Sequence, residues 1–149
     1  MQTPNNNRGM TLIEVMVTMV VFAVGVLGII TLQLNAVHAN VETRNWDEAN
    51  RILASHVERI GMGAYNSLVN ADGNTGSSAQ LETWRADPFE DSSLGTSMET
   101  GLSRYALRRF VTENLTQGTK TVFFCVSWPQ GTQEKRIFRT VVKPPDREG

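Results

Sequence analysis

The chain has 149 residues, 40 % of them hydrophobic and 19 % charged, with a formal net charge of −1. That length suggests one modest domain, and a near-neutral balance excludes an electrostatic case for nucleic acid as a whole-chain partner. A single cysteine, Cys125, excludes an intramolecular disulfide.

Residues 1–9 (MQTPNNNRG) form a polar leader whose one charged side chain is Arg8. A basic group ahead of an apolar run favours a cytoplasmic N-terminus. The sequence then turns apolar. From Val15 to Val41 there is no Asp, Glu, Lys or Arg, and Val15–Leu34 reads VMVTMVVFAVGVLGIITLQL. Twenty helical residues span about 30 Å, the thickness of a bilayer's hydrocarbon core. Residues 10–34 are therefore expected to be a membrane helix. Glu14 stands at its cytoplasm-proximal end. A carboxylate held at mid-bilayer costs roughly 2.5–3.5 kcal/mol, so a partner should offset it. Gly25 and Gly28 suit close approach of neighbouring helices, or a helix that loosens locally.

Residues 35–61 continue as an amphipathic helix. Trp46, Ala49, Leu53, Val57 and Ile60 step by three or four and make one apolar stripe, expected to pack on a globular head. Gly61 and Gly63 supply the stop, with Arg59 in the last turn. Asn35 and Asn40 are the possible joints if the span and the amphipathic part are separate helices.

Residues 62–101 read as a variable loop region, with Asp72-Gly-Asn-Thr-Gly-Ser as a turn and Trp84, Phe89 and Leu94 as anchors. Residues 102–149 read as an antiparallel sheet and a polar tail. Arg104–Thr112 is a strand, with a helix as the alternative. Thr121–Trp128 is the best strand, Pro129-Gln-Gly131-Thr a turn, and Arg136–Lys143 its hairpin partner, ended by Pro144-Pro145.

Charge is unevenly placed. Residues 42–103 carry ten acids and four basic groups, residues 104–149 nine basic groups and four acids. These are attractive faces of one domain, or surfaces that meet between subunits.

Sites for chemistry are scarce. The Asp72 turn lacks the spacing of a calcium loop. His38 and His56 are about 27 Å apart on one helix and cannot share a metal. Cys125 lies in an apolar strand with no feature to activate it. Asn114-Leu-Thr116 is a glycosylation acceptor by spelling alone. No triad, phosphate loop or carboxylate pair is evident, and no cofactor or metal is called for.

The contiguous order of polar leader, Gly9, Met10, Thr11-Leu-Ile-Glu14 and long apolar helix resembles the class III signal of type IV prepilins and pseudopilins. Glu14-Val-Met-Val, Ala23-Val-Gly25-Val-Leu-Gly28 and Leu32-Gln33 are most similar to the PilV type of minor pilins, over roughly residues 8–60. The resemblance implies an α+β, type IV pilin-like fold: a long N-terminal helix whose second half packs on a small antiparallel sheet. It implies cleavage between Gly9 and Met10, N-methylation of Met10, and an assembly role for Glu14, pairing with the ammonium of a neighbouring subunit's first residue. It implies a non-enzymatic minor pilin acting at or near a pilus tip, in adhesion and twitching motility. The implied partners are other minor and major pilins, prepilin peptidase, the inner-membrane assembly machinery and a tip adhesin. The chain would sit in the inner membrane with its head in the periplasm, then in the filament at the cell surface. The alternatives are a type II secretion pseudopilin, a membrane-anchored periplasmic enzyme, and a DNA-binding competence pilin using Arg108, Arg109, Arg136 and Arg139. Many major pilins close a C-terminal loop with a disulfide, a pattern from which this chain departs.

Overall fold

The computed structural model describes residues 11–91 and 93–146. Its elements are α1 (Leu12–Met62), a single 3₁₀ turn (Tyr65–Ser67), α2 (Ser78–Ala86), β1 (Thr96–Met98), β2 (Ala106–Asn114), β3 (Thr119–Gln130) and β4 (Gln133–Lys143). The architecture is α+β, a long N-terminal helix followed by a four-stranded antiparallel sheet in the order β1-β2-β3-β4. It is consistent with a type IV pilin fold.

Two units divide the chain, residues 1–43 and residues 44–149. In the first, α1 is apolar on all sides. Leu12, Phe22 and Leu32 are each at least 70 % exposed. Polar side chains there turn back on the helix. The Thr18 hydroxyl donates to the Val15 carbonyl at 2.8 Å and that of Thr31 to Leu27 at 3.0 Å. This satisfies each hydroxyl within the helix itself. Helical hydrogen bonding runs unbroken through Asn35 and Asn40, so neither is a joint.

In the second unit, the end of α1 lies on one face of the sheet. Ala49, Leu53 and Ile60 pack there against Leu107, Val111, Val122, Phe124, Val126 and Trp128. These strand residues share a face because side chains alternate and the registers Leu107↔Val126↔Ile137 and Val111↔Val122↔Val141 align them. The opposite face is covered too. Trp84 of α2 stacks on Phe110, ring centroids 5.6 Å apart, in a cluster with Phe123 and Cys125. Leu81, Phe89 and Leu94 pack against that cluster. β2 and β3 are therefore buried on both faces, which is why β3 is a nearly continuous apolar run.

The region expected to be loop holds more structure than its composition suggests. Ser77 caps α2: its Oγ accepts from the Gln80 amide, and the Gln80 side chain accepts from the Ser77 amide. The Ser-x-x-Gln spacing before Leu81 and Trp84 is a recognisable helix start, masked by the glycine-rich turn just before it. β1 has only three residues and no periodicity to announce it. It pairs with β2 by Thr96↔Arg109. Gly95 precedes it at φ +81°, and a Cβ there would stand 2.5 Å from the Arg109 carbonyl oxygen. No side chain fits that turn.

The expected turn at Pro129 begins two residues later. β3 continues to Gln130, and Gly131 at φ +61° with Thr132 closes the hairpin. β2 stops pairing with β3 at Ser127. Beyond that point β3 has a neighbour only on the β4 side, and such an edge segment tolerates proline.

Candidate functional site

Two regions carry the residues singled out by the sequence: the start of α1 and the surface where its last turns meet the sheet.

At the start, the Thr11 carbonyl accepts from the amides of Glu14 (3.1 Å) and Val15 (3.3 Å), and the Thr11 hydroxyl accepts from the Glu14 amide at 3.4 Å. Thr11 thus caps the helix, and Glu14 falls in its first turn. A carboxylate there faces the positive end of the helix dipole, a favourable place worth about 0.3–1 kcal/mol. The side chain is exposed, with no ion-pair partner among the described residues. Gly9 and Met10, the expected cleavage and methylation positions, lie outside the described residues. The helix that follows contains an 18-residue window of mean hydropathy 2.7, none of it buried within the chain. It is long and apolar enough to cross a membrane. A Cβ on Gly25 or Gly28 would meet nothing within 4 Å, so no contact inside the chain requires either glycine.

At the sheet, the buried row of α1 is Asn45, Ala49, Ile52, Leu53, His56 and Ile60. Of the four residues expected to pack on the head, Leu53 and Ile60 are buried, and Val57 is half-buried against the same cluster. Trp46 sits at the rim, 38 % exposed, edge-on to Trp128 with centroids 5.4 Å apart. The contact surface is thus turned toward Asn45, Ile52 and His56, which the step-of-four reading passed over. Their polarity hid two of them. Burial pushes the His56 imidazole below its ordinary pKa. Arg59 and Arg109 push the same way, and a backbone hydrogen bond at Glu99 opposes them.

Four arginines define whether the head can hold a nucleic acid. Arg108 is buried and donates to the carbonyls of Pro88 (2.6 Å), Asp91 (2.8 Å) and Leu94 (2.5 Å). Arg109 donates to the Val69 carbonyl at 2.8 Å. Arg136 is shared between Glu134 (2.8 Å) and Asp87 (3.2 Å). Arg139 alone of the four is well exposed, with a long 3.4 Å contact to Asn50. Three of the four guanidiniums are engaged within the head, and Arg139 is the one of the four that is exposed.

Cys125 is fully buried, and burial pushes its thiol up to about 12. It is neutral at any physiological pH and packs as a small apolar residue. No cluster of three or more metal-ligating side chains occurs among the described residues.

Residues 4–30 match a family model described as the prokaryotic N-terminal methylation motif. The match takes in Gly9, Met10, Glu14 and most of the apolar run. It supports a type IV pilin-like protein, of the pilin or pseudopilin kind, and implies processing by prepilin peptidase and assembly with pilus machinery. The motif and the apolar helix fit a membrane-anchored, pilin-like chain. No curated protein and no solved structure matches the chain.

Proposed function

We propose that the chain is a minor pilin of the PilV type, a non-enzymatic subunit taking part in type IV pilus assembly or initiation at or near the tip, and through it in adhesion and twitching motility. The observation that carries this reading is the start of α1: a capped helix with one carboxylate in its first turn and then an exposed apolar span. Residues 1–9 are the leader, removed between Gly9 and Met10. Residues 10–34 span the inner membrane and later pack among other pilin helices. Residues 35–61 join them to the head of residues 62–149, in the periplasm before assembly and on the filament after it.

Cleavage leaves an ammonium on Met10, and methylation keeps its charge. Glu14 of one subunit pairs with that ammonium on the next. Both charges are then neutralised in a low-dielectric helix bundle. The same carboxylate that burdens the lone subunit in the membrane then favours its transfer into a filament.

The experiment is N-terminal analysis of the protein recovered from membranes and from sheared filaments of cells with an active prepilin peptidase. The expected result is Met10 as the first residue, methylated, and the subunit present in type IV pili at low abundance. Recovery of Met1, or a cut beyond Leu34, overturns the processing. Copurification with secretion-system filaments in place of pili overturns the pilus assignment in favour of a pseudopilin.

A further inference from the structure

The two edges of the sheet are finished differently. On the β2 side, β1 pairs along its three residues with Leu107–Arg109, and where β1 ends other groups take over. The Asn70 side chain donates to the Val111 carbonyl (3.0 Å) and accepts from the Val111 amide (2.7 Å), as a strand would. The Gly76 amide donates to the same carbonyl at 2.7 Å, and Gly76 bridges to Thr112. On the other side, β4 pairs with β3 along all 11 of its residues, and among the described residues no main-chain hydrogen bond leaves its outer side. Its outer amides and carbonyls form a long unpaired row.

That row is flanked by a hollow on each face. On the α1 side, a space of roughly 320 Å³ is lined by Asn50, Leu53, Ala54 and Val57 together with Arg139–Val141. On the α2 side, a space of roughly 310 Å³ is lined by Arg85, Phe123 and Phe138–Thr140. A strand laid beside β4, about 4.8 Å away, would send successive side chains alternately into these two spaces. The first is mostly apolar. The second has an aromatic floor, with the Arg85 guanidinium 5.1 Å from the Phe123 ring centre.

Charge selects the occupant. β4 carries Lys135, Arg136, Arg139 and Lys143 against Glu134. A second copy of β4 would bring like charges together, and basic side chains on an edge are a known guard against such self-pairing. An acidic strand meets the opposite situation. On the α2 side Arg85 is half exposed, held by a 3.4 Å surface contact with Glu82 and by the Phe123 ring, while Arg139, exposed on the α1 side, adds to the positive field of the edge. The geometry points to the free edge of β4 as a strand-addition site for an extended segment of a second protein, with apolar residues facing α1 and acidic residues on the opposite face, toward Arg85. Main-chain bonds supply the affinity and the alternating pockets the choice of segment. This inference goes beyond the assembly role of the N-terminal helix and does not depend on it.

The test uses the full chain in detergent and a peptide of alternating valine and glutamate as long as β4, 11 residues. The expected result is saturable binding, with amide exchange slowed in residues 133–143. A peptide with lysine for glutamate, and one methylated on all its backbone nitrogens, should each bind at least about tenfold more weakly. Arg85→Glu, at an exposed position, should weaken the acidic peptide by about tenfold while circular dichroism stays unchanged. Arg85→Ala should fall between. No saturable binding, unchanged exchange in β4, equal binding of the methylated peptide, or full affinity in Arg85→Glu would each overturn the proposal. So would slow exchange of β4 without peptide in a chain that self-associates through this edge.

Discussion

The Lys143 ammonium lies 3.3 Å from the Ile60 carbonyl oxygen, so the end of β4 caps the end of α1. The same ammonium reaches the carbonyls of Gly61 at 3.2 Å and of Gly63. Helix ends leave carbonyls without partners, and a cation there answers both the hydrogen bonds and the dipole. Tyr65 extends the joint. Its amide donates to Asp146 at 2.8 Å, and its carbonyl accepts from Lys120 at 3.2 Å.

Lys143→Met keeps the apolar stem and removes the charge. Hydrogen bonds to charged groups contribute about 1.5–3 kcal/mol, so the variant should lose stability in that range. Urea unfolding followed by tryptophan fluorescence measures it. A midpoint equal to the parent's would mean that water caps the helix as well as Lys143 does.

A truncated chain beginning at Asn35 should be soluble and should fold without lipid, because the buried row of α1 and both clusters lie after that point. In it, Leu53→Ala should cost about 2–5 kcal/mol through the cavity left. Leu53→Asp should prevent folding by burying an unpaired charge. A Leu53→Asp chain that melts like the parent would remove this row from the core.

Glu14→Ala should separate insertion from assembly. Without the carboxylate the span is wholly apolar, so membrane level and cleavage at Gly9–Met10 should persist. The neighbour's ammonium would be left unpaired in the helix bundle, where breaking a buried pair costs roughly 3–5 kcal/mol. Incorporation into sheared filaments, measured against the same membrane pool, should therefore fall steeply. Glu14→Asp should be intermediate. Normal incorporation of Glu14→Ala would leave Glu14 as a cap-turn residue and nothing more.

His56 sets a pH dependence on the head. Its pKa is lowered in the folded chain, so the unfolded chain binds the extra proton first. Stability from this source is complete above about pH 6.5, the unfolded value, and is lost as pH falls toward the folded value, at no more than about 1.4 kcal/mol per pH unit for one proton. Asp87, Asp91 and Glu134, held below their ordinary values, add a loss only at pH below about 4.5. Urea midpoints of the parent should fall between pH 7 and pH 5. Those of His56→Asn, less stable throughout, should stay level over that window. Parallel curves for the two chains would assign the loss elsewhere.

The sequence by itself determined what rests on local pattern. A run without charges is apolar whatever surrounds it, and its length sets its reach, so the long helix and its capacity to span a membrane follow from residues 10–34. Alternation and β-branching likewise placed the cores of β2, β3 and β4. The order of Gly9, Met10 and Glu14 ahead of the span is a local pattern too, and it is the part that the family match covers.

Tertiary structure decided what rests on distant partners. Arg108 and Arg109 look alike in sequence, yet pleating sends them to opposite faces, one to the Pro88, Asp91 and Leu94 carbonyls and the other to Val69. Asn45 and His56 interrupt an apolar stripe and are still buried, because the sheet beneath α1 is broad enough to cover them. Asn70 stands in for a strand only because folding brings it to Val111. Whether an edge stays open is decided the same way: β1, Asn70 and Gly76 come from before β2 and close its side, while no described residue pairs with the outer side of β4.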